Sequence, residues 1–348
     1  MKRFVFLAVG LMPCLTTVGV AQRSPPVHAA ALAPDGKALA ESFAFADSPG
    51  VIKYRDLPTG KVRFLCKGHK YAINALAISA DGMMLASGDC TGVIRIWETA
   101  TGKALAAFTR AHEPRRPWSL AFSPDGKMLA SSSPSRIVLW EVVTGKQEAV
   151  IETEGKEINC VSQHCGCSVV FSPDGRTLAY ATDGGAVQLW DVPTRKQRLV
   201  LNGHESAVLG IAFAPNGRNV ATAGRDETVR LWDVKTGRQT TTLRGHKGPV
   251  VSVVFSPDGS MVCSWCYWRQ KILSGENRDN DLCATELKVW DVSTSKARHT
   301  FEPDQPKVNS VRPLFVVQFT ESGKDLLTVT ADQQGVDRFN LSKLDRPN

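Results

Sequence analysis

An all-β chain built from seven similar units, each of four short antiparallel strands, is predicted by three features of the sequence: a repeated turn phrase, an aromatic closure after it, and a nearly constant spacing. The phrase Ser-Pro-Asp-Gly or a close variant occurs seven times, ending at Gly36, Gly82, Gly126, Gly175, Gly217, Gly259 and, in the worn form Thr320 to Gly323, at Gly323. Pro presets φ and Gly accepts positive φ, so each copy is expected to be a tight hairpin turn. An alternating apolar strand follows each turn and closes on an aromatic with a polar neighbour: Tyr54 with Arg55 and Asp56, Trp97-Glu98, Trp140-Glu141, Trp190-Asp191, Trp232-Asp233, Trp290-Asp291 and Phe339-Asn340. Successive aromatics lie 43, 43, 50, 42, 58 and 49 residues apart, a spacing that marks a repeat array.

Each unit then reads as an inner strand before the turn, a second after it, a third ending at the aromatic, and an outer strand after a turn such as Thr101-Gly102-Lys103. Alternation supports the third strands, with Val229 and Leu231 matched by Val187 and Leu189 and by Ile137 and Leu139.

These turns, closures and spacing resemble those of WD40-repeat proteins over about residues 27 to 340. The resemblance implies a seven-bladed WD40-type β-propeller with four antiparallel strands per blade, in a single domain covering 22–348. The fifth repeat matches best, and there it implies that His204, Thr222, Asp226 and Trp232 form a hydrogen-bonded structural tetrad. Elementary chemistry agrees, because a buried imidazole, carboxylate and indole N–H each need a partner. The second repeat keeps His69, Ser87 and Trp97 but has Thr91 where the carboxylate is expected; the sixth keeps His246, Ser264 and Trp290. The other four lack most of the set and must rely on apolar packing. After Phe339 too little chain remains for a convincing outer strand. WD40 proteins commonly fill that place with their N-terminal segment, which by register is about residues 15–21.

That segment also reads as part of a leader. Lys2 and Arg3 precede an uncharged stretch ending in Gly19, Val20 and Ala21, the pattern of a signal peptide over residues 1–21. An uncleaved anchor, a retained closing strand and lipid attachment at Cys14 stay open beside it. The expectation is an exported chain, in the periplasm, cell envelope or extracellular space, meeting a membrane only through a retained leader or that lipid. The net charge is +8, and loss of Lys2 and Arg3 leaves about +6. No basic run is interleaved with aromatics, so nucleic acid is not the expected partner.

Loop lengths point to function. The sixth unit takes 31 residues from turn Gly to Trp where regular units take 15, placing extra residues at about 269–284. A second excess falls within 154–167 and a smaller one before the seventh unit. In WD40 propellers the loops between strands two and three share a face with the loops that link blades, so both insertions are expected together. Long loops on a rigid scaffold are where binding usually resides. The candidates for partner contact are Lys70, Tyr71, Arg115, Arg116, Trp118, Glu205, Arg225, Lys247, Trp268 and Arg269. Trp265 and Tyr267 join Trp268 at the end of one strand, where alternation sends at least one ring into the core. Insertion drift at loop tips is the bland account of the same lengths.

Eight cysteines follow the leader: Cys66, Cys90, Cys160, Cys165, Cys167, Cys263, Cys266 and Cys283. An even number in an exported chain makes all eight disulfide candidates, with buried free thiols the alternative. His164 beside Cys165 and Cys167, and the Cys263 to Cys266 spacing, are weak zinc signals in non-adjacent blades, so no metal or cofactor is expected. No nucleophile elbow, His-Glu-x-x-His, phosphate loop or dinucleotide fingerprint occurs. His69, His204, His246 and His112 fall at the repeat position, and His28 and His299 stand alone. The expected function is a monomeric, non-catalytic scaffold for other proteins. Binding of a small ligand or glycan in the central funnel, or a cryptic hydrolase or lyase, is the alternative.

Overall fold

The structure, a computed structural model, describes residues 27–43, 49–109, 119–133, 135–153, 168–182, 184–270, 282–301, 314–330 and 336–344. The chain forms a seven-bladed β-propeller: six sheets of four antiparallel strands, and a seventh with three among the described residues. Blade five is typical, running Val208–Phe213, Asn219–Gly224, Val229–Asp233 and Gln239–Leu243 from the axis outward. Inner strands of consecutive blades pack side by side around the ring, and the first, Val27–Leu32, lies beside the last, Leu314–Phe319.

The ring closes through chemistry at that seam. Ala30, Leu32 and Leu39 of blade one pack with Val316, Phe319, Leu326 and Val329 of blade seven. Gln318, fully buried, donates its amide N–H to the carbonyls of Ala33 and Pro34 at 3.4 and 3.3 Å. Among the described residues no outer strand follows Phe339; a short helical turn, Leu341–Leu344, follows and buries Leu341 in the same seam. The borrowed strand expected near 15–21 lies outside the described residues.

The repeated turns explain why Pro and Gly recur together. In blade three the Gly126 N–H donates to the Ser123 carbonyl, and Gly126 sits at φ +71°. The Ser123 hydroxyl donates to Asp125, whose Oδ1 also accepts the Lys127 N–H. Each turn glycine faces the turn proline of the preceding blade: Gly82 meets Pro34, Gly175 Pro124, Gly217 Pro173, Gly259 Pro215 and Gly323 Pro257. Blades two and seven carry Ala80 and Glu321 in place of Pro. The next glycines, Gly126 and Gly36, face Met84 and Leu327 there. A side chain at these glycines would demand an uncommon backbone conformation.

The cores lie between blades. Trp232, for example, packs from blade five against Ala179, Val187 and Leu201 of blade four. Because strands alternate, each blade contributes one face to each of two such cores.

Candidate functional site

Four antiparallel strands per blade and like-directed inner strands place the one-two and three-four turns at one end of the ring. The two-three loops and blade-linking loops therefore lie at the other. Contacts tie this second end together. The Cys90 N–H donates to the Ala72 carbonyl and the Arg225 N–H to the Ala207 carbonyl, each at 2.9 Å, joining two-three loop to linking loop within a blade. Between blades the approach is closer still: a Cβ on Gly50 would lie 2.4 Å from the Tyr71 carbonyl oxygen, and one on Gly185 would lie 2.6 Å from that of Ser206. Only glycine fits at either place.

Lys70, Tyr71, Glu205 and Lys247 are exposed on this face, and Arg225 is half-buried. Tyr71 shows 47% of its surface, unusual for an aromatic in a chain whose other rings mostly pack. Glu205 and Arg225 adjoin Asp226, which accepts the Glu205 N–H at 3.1 Å. Arg115, Arg116 and Trp118 lie outside the described residues, as do the segments 154–167 and 271–281. Trp268 and Arg269 fall in a strand, Met261–Gln270, but their side chains are outside the described set. The insertion expected at 269–284 is in part not a loop. The strands Met261–Gln270 and Leu282–Asp291 pair through to Gln270 opposite Leu282, so the hairpin continues four residue pairs beyond Cys266 and Glu286. Trp265 is a core residue at 1% exposure, packed in the seam between blades six, seven and one.

Beneath the face, buried networks fix the linking loops. In blade five, His204 Nδ1 donates to Asp226 at 2.9 Å, the Thr222 hydroxyl meets His204 Nε2 at 2.7 Å, and Trp232 Nε1 donates to Thr222 at 2.8 Å. The expected tetrad is thus present, and Thr228 and Arg230 extend it. Burial pushes the Asp226 carboxyl up, but hydrogen bonds from His204 and Thr228 outweigh it and hold the group well below its usual range.

Blade two corrects one expectation. Thr91 does not replace the carboxylate: Asp89, two residues earlier, accepts from His69 Nδ1 at 2.8 Å, and Thr91 donates its hydroxyl to Asp89. Ser87 joins His69 and Trp97, each at 2.7 Å. Blade six supplies a third network from an unexpected place. Glu286, on the third strand, accepts from His246 Nδ1 at 2.9 Å, while Ser264 joins His246 Nε2 and Trp290 at 2.7 and 2.8 Å. In blade three Trp140 donates to Ser131, and the position of His112 lies outside the described residues. In blade four Tyr180 occupies the hydroxyl residue's register and bonds Gln188, so the buried Trp190 N–H has no partner.

Blade one differs in kind. Tyr54 is not the closing residue in the register that Trp232 occupies. Trp232 pairs with Val220, three residues past its turn glycine, and the matching Leu39 pairs with Arg55. Arg55 there donates to Glu41 at 3.1 Å, an ion pair replacing the indole-hydroxyl bond, and Tyr54 stacks on Phe64 at 4.9 Å. Burial raises the Glu41 carboxyl, with Arg55 opposing it.

No disulfide is seen among the described cysteines, and Cys66, Cys263 and Cys266 are free thiols. Cys263 packs in the seam with blades seven and one, whereas Cys266 packs toward blade five. Three residues apart on a strand, they point to opposite faces and cannot pair. Burial pushes the Cys66 thiol up to about 12. Cys160, Cys165 and Cys167 lie outside the described residues, and Cys283 is placed only by its backbone.

At the opposite end a cleft of about 620 Å³ opens among the turns of blades two to four, beside Ala80, Asp81, Asp125, Phe171 and Asp174. Asp125 and Asp174 spend an oxygen on their own turns, accepting from Ser123 and Ser172. No helix among the described residues is long and apolar enough to cross a membrane.

The blade geometry and the His–hydroxyl–Trp networks define a repeat propeller whose described blade-linking and two-three loops lie at one end. The family profile described as WD domain, G-beta repeat matches residues 60–98, 103–141, 148–191, 195–233 and 237–281, and the chain belongs to the WD40 family. It is 28% identical over 153 residues to WD repeat-containing protein SL1-17 of Schistosoma mansoni, covering 44% of this chain and 47% of that one. It is 27% identical over 141 residues to small ribosomal subunit protein RACK1y of Oryza sativa, covering 40% and 41%. A human relative, angio-associated migratory cell protein, is 26% identical over 194 residues, 54% of this chain and 40% of that one. The chain thus spans less than half the length of these relatives.

Proposed function

We propose that the protein is a non-catalytic interaction scaffold that holds a protein partner on the face carrying the blade-linking and two-three loops. The observation that carries this reading is that exposed Lys70, Tyr71, Glu205 and Lys247, with Arg225, share this face on loops anchored by three buried networks. Anchoring matters because a pre-ordered surface spends little of its binding energy on immobilising loops. Aromatic and arginine anchors on such a surface are typical of interfaces. Three histidines at the repeat position are committed to the blades: His69, His204 and His246 are buried with both ring nitrogens bonded.

In this reading the leader at 1–21 exports the chain, so the partner is an envelope or extracellular protein. The test is affinity capture from an envelope fraction with three baits: wild type, a Tyr71→Ala/Lys247→Glu double variant, and a Lys127→Glu/Arg176→Glu variant of the opposite end. The same partner retained by wild type and by the last, and lost by the first double variant, is the expected result. Equal retention by both variants would overturn the assignment of the face.

A further inference from the structure

Blade six departs from the other complete networks in one respect. In blade two the residue two beyond Ser87 is Asp89, and it binds the histidine. The residue two beyond Ser264 is Cys266, and the carboxylate comes instead from Glu286, directly across the hairpin from it. His246 Nδ1, Cys266 Sγ and a Glu286 carboxylate oxygen consequently lie within 4.8 Å of one another, all three residues buried. The sulfur is 3.8 Å and the imidazole nitrogen 2.9 Å from Glu286 Oε1.

What singles this cluster out is the thiol, since the histidine–hydroxyl–tryptophan part is shared with blades two and five. Burial and the neighbouring Glu286 push the Cys266 thiol up to about 12, with the backbone N–H groups of Lys247 and Gly248 opposing that rise. The second ring nitrogen of His246 is already bonded to Ser264, itself locked by Trp290, which is how a metal-ligating imidazole is usually oriented. Lys288 Nζ sits 3.3 Å from Glu286 Oε2 and engages the oxygen that faces away from His246.

We propose that His246 Nδ1, Cys266 Sγ and Glu286 Oε1 bind one thiophilic divalent cation of the zinc class. Zinc takes nitrogen, sulfur and oxygen ligands at about 2.0–2.3 Å. A tetrahedron of that size sets ligand atoms roughly 3.3–3.8 Å apart, a separation inside the range the three atoms already show. A solvent molecule fills the fourth position. The proton balance is simple. The Cys266 thiol proton leaves to solvent, and the imidazole proton shifts from Nδ1 to Nε2, where it is donated to Ser264 Oγ. The thiolate and the carboxylate together neutralise the dication. Bound there, the ion clamps the linking loop at His246 to Gly248 onto the base of the long hairpin, and so fixes the strand that runs on to Trp268 and Arg269.

The test uses the full chain, stripped with chelator and titrated with Co²⁺. One equivalent retained through gel filtration, with a sulfur-to-cobalt charge-transfer band in the near ultraviolet that Zn²⁺ abolishes, is the expected result. Cys266→Ser, close in size, should keep the β-sheet circular dichroism, lose the band, and bind at least tenfold more weakly. Glu286→Gln should keep the band with weakened affinity. Zn²⁺ at one fixed concentration should raise the melting temperature of wild type by more than that of Cys266→Ser. Absence of a retained band in wild type, or an equal band in Cys266→Ser, would overturn the site; the zinc-dependent shift in wild type decides the matter even if a variant fails to fold.

Discussion

Thr222→Val probes the buried networks most sharply, because it keeps the shape of the side chain and removes only the hydroxyl. That hydroxyl is fully buried and joins His204 Nε2 at 2.7 Å to Trp232 Nε1 at 2.8 Å. Its loss leaves an imidazole nitrogen and an indole N–H buried without partners, at about 1–3 kcal/mol each, or roughly 2–6 kcal/mol in total. An unfolding entropy of about 2.1 cal/mol/K per residue makes each kcal/mol worth roughly 1.5 °C in a chain of this size. The melting temperature should therefore fall by about 3–9 °C. Ser168→Ala is the matched control: its hydroxyl is also buried but has no hydrogen-bond partner, so its removal should be neutral or slightly stabilising. Calorimetry and urea unfolding measure both. A Thr222→Val variant melting within 1 °C of wild type, or a Ser168→Ala variant losing as much, would refute the reasoning.

Three other outcomes follow from the same geometry. Trp190→Phe should cost at least about 1 kcal/mol less than Trp232→Phe in urea unfolding, because only the second indole N–H is bonded. Asp226 contributes stability that is complete above its unfolded value near 3.8 and is lost as pH falls below it, since its folded carboxyl is held lower. Wild type should therefore lose more stability than Asp226→Asn between pH 5 and pH 2.5, measured as the shift in urea midpoint. Gly175→Ala should cost about 1–2 kcal/mol because φ is +72°, although a Cβ there would lie 3.5 Å from Pro124 without clash. Gly184→Ala, with open space around it, is the neutral comparison in the same melting assay.

What the sequence made legible was local. A Ser-Pro-Asp-Gly turn specifies itself within a few residues, and a Trp-Asp closure marks a strand end, so the number of blades and most strand limits could be read directly. The carboxylate partners of His69 and His246 could not, because register across a hairpin decides them. Asp89 was nevertheless within reach: it lies two residues past Ser87, hence on the same face of the strand. Glu286 was reachable by the same rule, four residues before Trp290 and on its side of the sheet, but the expectation of a loop through 284 concealed the strand that carries it. Arg55 was overlooked in favour of Tyr54 because an aromatic was expected; the pairing of Leu39 with Arg55 shows that charge chemistry fills that place in blade one. The candidate face was predicted as a set of loops, and five of its ten residues have described side chains. Those five share one end of the ring because the antiparallel order of four strands sends every second connection there.

Hydrogen exchange on the complex with the captured partner tests the central claim most directly. The account predicts slowed exchange at 68–72, 204–207, 224–227 and 245–248, with the turns ending at Gly82, Gly126 and Gly175 unchanged. Protection concentrated at those turns, with the linking loops left as in the free protein, would contradict it.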